Sequence, residues 1–285
     1  MSITFSFGKN WLRYVKYVAS EDIINIAKLS LRKFVDNRFD FNGKTFVDIG
    51  CGSGIFSLSA AMLGCKKIIS IDVDSSSIEA TKLLQKKFSY LIPDGVEWVV
   101  KEGSILDANL TSELENCADF LYSWGVLHHT GNLELAMKNA SRLVKQDGLA
   151  YIALYNRTDA SNWWLNIKKI YNSSLLPVKF IMVVLFTAFL TFEDVRKGRG
   201  LNMFDKNRGM YKWTDVIDWL GGLPYEPIDV KDTVEFWNNC GFVATKTAPT
   251  VYHLPTYPSG FWKKYFVYLK MVGLGCNEFL FEKKK

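Results

Sequence analysis

A doubly wound α/β fold is what the sequence predicts, and three observations carry that prediction. Short apolar runs alternate with amphipathic stretches, as consecutive βαβ units require. One of those runs, Phe46-Val-Asp-Ile, empties into a glycine-rich turn, Gly50-Cys-Gly-Ser-Gly54, and then into an apolar helix. The 285 residues, 48% of them hydrophobic, also suffice for one large domain or for a core domain with a substantial insertion.

Taken in order, an aromatic stretch (Phe5, Phe7, Trp11, Tyr14, Tyr17) precedes a helical pattern. There Ile23, Ile24, Ile26, Ala27, Leu29, Leu31 and Phe34 recur at three- and four-residue steps until Asn42-Gly43. Residues 1–41 are therefore expected to form a helical N-terminal lid. After the first strand and its turn, Ile55 to Leu63 reads as a helix, Lys67 to Asp72 as the second strand and Ser75 to Phe88 as a helix. Val96 to Val100 and Ala118 to Ser123 read as strands three and four. Leu133 to Val144 reads as a helix ended by Gln146-Asp147-Gly148, and Leu149 to Tyr155 as strand five. A helix (Val230 to Asn239), a sixth strand (Phe242 to Thr247) and a last strand (Asn277 to Phe281) close the chain. The core is expected over 42–155 and 229–285. Residues 156–228 are too many for an ordinary loop and are expected to form a helical insertion of their own.

The net charge of +6 has one source: residues 157–212 hold ten Lys/Arg against four Asp/Glu, and the rest of the chain is balanced. This asymmetry points to an anionic partner, either a phosphate-bearing substrate or an anionic membrane surface, with a solvated charged face as the alternative. Nucleic acid fits poorly, because the basic residues are interleaved with a long apolar stretch. Leu175 to Phe192 is apolar apart from Lys179. Pro177 and Lys179 are expected to confine the clean run to Phe180–Phe192, short of the roughly twenty residues a span needs. Three readings stand: a helix buried in a substrate lid, an interfacial helix with Arg196, Lys197 and Arg199 on lipid headgroups, and a true span. The five cysteines are odd in number and lack a C-x-x-C pair, which suits a reducing compartment and argues against a metal site. The N-terminus lacks a basic start followed by an apolar core. A cytoplasmic protein is expected, peripheral on the inner membrane face in the interfacial reading.

Glycine is needed where the main chain turns with positive φ or where a ligand lies against bare backbone. A strand-to-helix turn is also expected to direct free N–H groups and a partial positive charge at whatever sits there. The dinucleotide fingerprint G-x-G-x-x-G is the nearest familiar pattern. Here the third glycine comes one residue early, and Asp48 stands two residues before the first. An acid there would repel a pyrophosphate, but it favours a cationic sulfonium and ammonium.

The pattern Asp48-x-Gly50-x-Gly52-x-Gly54 resembles motif I of the class I S-adenosylmethionine-dependent methyltransferases. The resemblance covers about 42–155 and 229–283. It implies a Rossmann-like seven-stranded sheet with the last strand inserted antiparallel, and S-adenosyl-L-methionine as cofactor. Asp48, Gly50, Cys51, Gly52 and Gly54 then form the binding turn. Asp72, the acid ending strand two, becomes the ligand of the ribose hydroxyls with Val73 beside the adenine, while Asp74 reads as a helix-start residue. Ser104 and Ile105 match the place where similar enzymes edge the adenine and read its amine. Asp119-Phe-Leu-Tyr-Ser-Trp-Gly-Val-Leu-His-His-Thr-Gly131 resembles motif IV and its extension. There Ser123 and Trp124 border the methionine part, and His128 and His129 lie near the transferred methyl. His129, and after it His128, is the candidate general base, because histidine titrates near neutrality; packing or substrate orientation is the other reading. Phe7 to Trp11 is expected to fold over the cofactor, with Lys9 and Trp11 as contacts.

Within the superfamily the chain looks most like the branch of ubiquinone-biosynthesis O-methyltransferases and bacterial surface-glycan or lipid methyltransferases. A hydroxyl on a small, lipid-linked or glycan-linked acceptor is accordingly expected. The sequence departs from the pattern at Gln146-Asp147-Gly148, where Pro-Gly-Gly is usual. The rivals are a nicotinamide-dependent oxidoreductase and a membrane-surface binding protein with a vestigial methyltransferase fold.

Overall fold

The computed structural model describes residues 6–36, 38–158, 160–196, 198, 211–249 and 276–284. The chain opens with α1 (Gly8–Tyr17), α2 (Glu21–Phe34), β1 (Thr45–Ile49), α3 (Ile55–Met62), β2 (Lys67–Asp72), α4 (Ser75–Lys87) and β3 (Glu97–Glu102). It continues with α5 (Ala108–Glu113), β4 (Ala118–Trp124), α6 (Leu133–Leu143), β5 (Val144–Tyr155), α7 (Ser161–Ser173), α8 (Leu176–Arg196) and α9 (Lys212–Gly221). It ends with α10 (Val230–Asn239), β6 (Phe242–Pro249) and β7 (Cys276–Lys283). The strands form one seven-stranded sheet of order β3-β2-β1-β4-β5-β7-β6. Strand β7 runs antiparallel to both β5 and β6, so the arrangement is the Rossmann-like α/β sheet with an inserted last strand that the sequence predicts.

Two compact units divide the chain, Met1–Ser104 with Ile167–Leu223 and Ile105–Asn166 with Pro224–Lys285. In the first, β1 pairs in parallel with β2 from Thr45↔Lys67 to Ile49↔Ile71, and β2 pairs in parallel with β3. That register brings the glycine turn after β1 beside Asp72 at the end of β2. Two of this unit's helices start where a capping side chain satisfies a first N–H group: Ser20 caps α2 and Asp74 caps α4. Lys87 of α4 donates to the carbonyls of Val15 and Ala19 at the C-terminal end of α1. In the second unit Asp107 caps α5 and Asn132 caps α6. Strand β4 pairs in parallel with β5, and the core centres on residues such as Phe120, Ile152, Trp237, Phe279 and Phe281.

Two expectations are corrected. Strand β5 starts at Val144, because Ala118 pairs with Val144 and Phe120 already pairs with Leu149. Gln146-Asp147-Gly148 is thus an irregularity inside the strand rather than a turn before it, with Asp147 at φ +60. The second correction concerns α8, which runs for 21 residues from Leu176, so Pro177 does not cut it. Proline in a first helical turn removes an N–H that has no helical partner anyway. Only 22% of its most apolar stretch is buried, although by length and composition it could cross a membrane. Val183, Phe186, Thr187 and Glu193 form the covered side, and the broader apolar side faces out, which contradicts the buried-lid reading. Phe5, Lys197 and Arg199 lie outside the described residues.

Candidate active site

In the first unit, Gly50, Gly52 and Gly54 all have positive φ (74, 54 and 77), the left-handed region that side chains strain to adopt. A Cβ on Gly54 would also stand 2.7 Å from the Thr81 methyl of α4, and one on Gly52 would stand 3.0 Å from the Trp11 indole nitrogen. The turn is therefore bare backbone, with Trp11 of α1 lying against it. Four of its five amides are spent inside the protein. Gly50 and Cys51 both donate to the Ile71 carbonyl, Gly52 to the Asp72 carboxylate at 3.0 Å, and Gly54 to the Cys51 carbonyl. A turn with most of its N–H groups spent internally does not match the pyrophosphate cradle; what it presents is Cα surface and acid. Cys51 is buried and its Sγ lies 3.3 Å from Thr81 Oγ1. Burial pushes its thiol pKa well up, making it a packing residue here.

Two acids sit beside that surface, and neither is ion-paired among the described residues. Burial raises the Asp48 carboxyl to about 7, opposed by its bond from Ser57 and reinforced by the nearby Asp72. Burial likewise raises Asp72 to about 6, against hydrogen bonds from the amides of Asp74 and Gly52. Asp48 ends a buried relay. Trp98 Nε1–H donates to Ser70 Oγ (2.8 Å), Ser70 and Ser57 hydroxyls meet at 2.7 Å, and Ser57 donates to Asp48 Oδ2 at 2.6 Å. An indole N–H only donates, so Ser70 accepts from it and passes its own proton toward Ser57. Burial opposes charge on Asp74 too, but bonds from Ser6, Gly8, Ser76 and Ser77 hold its carboxyl below the ordinary value. Asp74 thereby fastens the start of α1 to the start of α4. Asn10 donates to the Thr214 carbonyl and to Asp218 of α9, fastening α1 on its other side. Val73 and Lys9 are exposed.

In the second unit, β4 delivers Ser123 fully buried and Trp124 with its indole N–H on Glu278 at 2.7 Å. A short 3₁₀ turn, Leu127–His129, follows. His128 and His129 stand 4.3 Å apart by ring centroids, and both pack against Tyr155. Their hydrogen bonds fix opposite tautomers. His129 Nδ1 lies 2.5 Å from the Pro224 carbonyl, which only accepts, so Nδ1 carries the proton and Nε2 the lone pair of the neutral ring. His128 Nδ1 receives the Tyr155 N–H at 3.3 Å, so its lone pair is on Nδ1 and its proton on Nε2. Of the two, His129 is the one whose Nε2 is basic. The Ile105 carbonyl accepts from Asn139, and the Ile105 side chain is buried. Ser104 is half-buried.

The same unit holds a cavity of about 670 Å³, lined among others by Met137, Arg157, Ser161, Asn162, Glu226 and Phe236. The Glu226 amide donates to the His128 carbonyl, tying the cavity wall to the histidine turn. Glu226 Oε1 accepts from the Leu133 amide at 3.4 Å, and its Oε2 is buried with no hydrogen-bond partner among the described residues. Sequence reasoning missed Thr81, Ser57, Ser70, Pro224, Tyr155 and Glu226, none of which stands inside a glycine-type motif. Glu226 carried a weak signal in the acid that follows Gly221-Gly-Leu-Pro-Tyr.

Residues 22–181 match the family model described as a methyltransferase domain. The ribosomal protein L11 methyltransferase of Tolumonas auensis is 51% identical over 43 residues, which is 15% of this chain and 15% of that protein. The chain thus spans a small part of the curated relatives it matches. Among solved structures, the magnesium protoporphyrin IX methyltransferase of Synechocystis PCC 6803 with bound SAH superposes with TM-score 0.54 at 12% identity, over 98% of this chain and 95% of its own. The YcgJ protein of Bacillus subtilis gives TM-score 0.52 at 11% identity, over 90% of this chain and 99% of its own. At such identities the likeness shows the fold.

Proposed function

The chain belongs to the methyltransferase-domain family, and on that premise we propose that it moves a methyl group from S-adenosyl-L-methionine to the hydroxyl oxygen of a small, lipid-linked or glycan-linked acceptor. The cradle in the first unit fits that donor. Bare glycine backbone accepts close approach, Asp72 suits ribose hydroxyls, and Asp48 suits a cationic amino-acid end. When bound, S-adenosyl-L-methionine supplies a methyl already activated on a sulfonium, so alignment does most of the catalytic work. The protein's remaining task is to take the acceptor's proton.

The tautomer of His129 carries the oxygen preference. Pro224 holds the Nδ1 proton, which leaves Nε2 as the acceptor for a hydroxyl proton. As the imidazolium forms, the Nδ1–H···O=C bond becomes charge-assisted and stabilises it. His128, with its proton on Nε2, is a donor to an acceptor oxygen and not a second base. The cavity with Glu226, Asn162 and Ser161 is the proposed acceptor pocket, and its mixed polar and apolar lining suits a hydroxylated group on an apolar body.

The test is release of S-adenosylhomocysteine over paired hydroxyl and amine acceptors. Hydroxyl compounds should be turned over. His129→Ala should cut kcat by about 10²-fold or more with the cofactor Kd unchanged. Turnover of amines alone, or an unaffected His129→Ala rate, would sink the reading.

A further inference from the structure

We propose that α8 lies in the plane of an anionic phospholipid bilayer, with its exposed apolar face as the docking surface. Leu176, Phe180, Ile181, Leu185, Phe192 and Val195 are each between 49% and 81% exposed. At about 100° per residue Phe180, Ile181, Leu185, Phe192 and Val195 share one arc of about 140°, which extends ~23 Å along the helix, with Leu176 at its N-terminal end. A face of that size is far more apolar than a monomeric soluble surface normally carries.

The opposite side of α8 is fastened to the protein. Val183, Phe186 and Thr187 are buried, and Lys212 at the start of α9 pairs with Asp194 at 2.7 Å. A span would have to tear that side away and leave a charged pair in hydrocarbon, so the geometry favours lying on a membrane over crossing it.

Charge decides between a lipid surface and a second copy of the chain. The two acids of α8 are neutralised, Glu193 by Arg196 at 2.9 Å and Asp194 by Lys212. The other charges that flank it in sequence are mostly basic: Lys169 and Lys179 before and within it, then Lys197, Arg199, Lys206 and Arg208 against the single acid Asp205. Two such segments facing each other would repel, whereas anionic headgroups attract each lysine and arginine near the surface. Apolar insertion flanked by basic residues is the pattern of an interfacial helix.

The experiment is flotation of the full chain with phosphatidylglycerol–phosphatidylcholine vesicles and with pure phosphatidylcholine vesicles. The protein should float with the first, much less with the second, and less with either at high salt. Phe180→Asp/Leu185→Asp should lower vesicle partitioning at least about tenfold, since two buried apolar contacts are replaced by charges that anionic lipid repels. Phe180→Ser/Leu185→Ser, which adds no charge, should give a smaller loss in the same direction. Melting and cofactor affinity of both variants should match the parent, because both side chains are exposed. Failure to float with anionic vesicles, or equal flotation of the Asp variant, would overturn the proposal. So would a concentration-dependent dimer that the Asp variant abolishes while vesicle binding is absent. Cofactor affinity in the same samples reports on the methyl-transfer reading separately, so the two can fail independently.

Discussion

At the scale of single residues, Asp72 carries the most constrained role. Its Oδ2 receives the Gly52 amide at 3.0 Å and its Oδ1 the Asp74 amide at 2.9 Å, so the carboxylate locks the glycine turn to the end of β2 while each oxygen keeps a further lone pair. Two ribose hydroxyls on those lone pairs make charged hydrogen bonds, and Asp72→Ala should weaken S-adenosylmethionine binding by at least about 1.5 kcal/mol. Calorimetry of the variant checks this, and unchanged affinity would remove Asp72 from the cofactor's contacts. Asp72→Asn, which keeps the shape, should fall between the two. The acid was legible in the sequence because it ends an apolar strand at a fixed distance past the glycines. Thr81 and Pro224 were not. Each reaches its partner across 29 to 95 residues of chain, as Thr81 does to the Gly52 carbonyl and Pro224 to His129. A hydroxyl or a carbonyl with no motif around it announces nothing until the fold brings it there.

At the scale of elements, α1 behaves as a strap held at both ends. At its N-terminal end Ser6 and the Gly8 amide bond Asp74 and Asn10 bonds α9 through the Thr214 carbonyl at 3.1 Å and Asp218 at 2.9 Å, and at its C-terminal end Lys87 of α4 donates to the Val15 and Ala19 carbonyls. Burial drives the Asp218 carboxyl well above the usual carboxylate range, and the Asn10 donor works against that. Asn10→Ala strips a donor from a buried carboxyl and should cost about 1–3 kcal/mol of stability. The loss falls on the strap rather than on the sheet. The S-adenosylmethionine off-rate should therefore rise, and proteolysis within residues 8–17 should accelerate while the sheet stays protected. An unchanged off-rate with a lowered melting temperature would make α1 a structural brace and not a lid. The helix α8 shows the limit of reading elements from sequence. Periodicity finds the apolar stretch, but Pro177 reads as a breaker unless its place in the first turn is known. Which side of the helix is covered depends on α9, whose register against α8 no local pattern encodes.

At the scale of the whole molecule, the alternation of strands and helices was enough to give a doubly wound α/β fold, while the antiparallel last strand came only from the resemblance to class I methyltransferases. The same sheet puts two acids, Asp48 and Asp72, at the ends of adjacent buried strands, and their titration should reach the stability of the entire protein. Both carboxyls, at about 7 and about 6 in the folded protein, lie above the ordinary value of 3.8. The folded protein therefore holds protons that the unfolded chain has released. Stability from these groups is fully present below about pH 4 and is lost as pH rises toward 7, with little further change above that. The combined loss is on the order of a few kcal/mol, so the free protein should melt several degrees lower at pH 8 than at pH 5.5 on their account. A cationic ligand restores the favourable ionised state, so the melting shift produced by S-adenosylmethionine should be larger at pH 8 than at pH 5.5. Asp48→Asn keeps an acceptor for the Ser57 hydroxyl, which bonds Oδ2 at 2.6 Å, and removes the charge. The variant should lose most of the pH slope between 5.5 and 8, and most of the pH dependence of the ligand-induced shift with it. A slope that survives the substitution intact would assign the titration to other groups and leave Asp48 a buried structural acid.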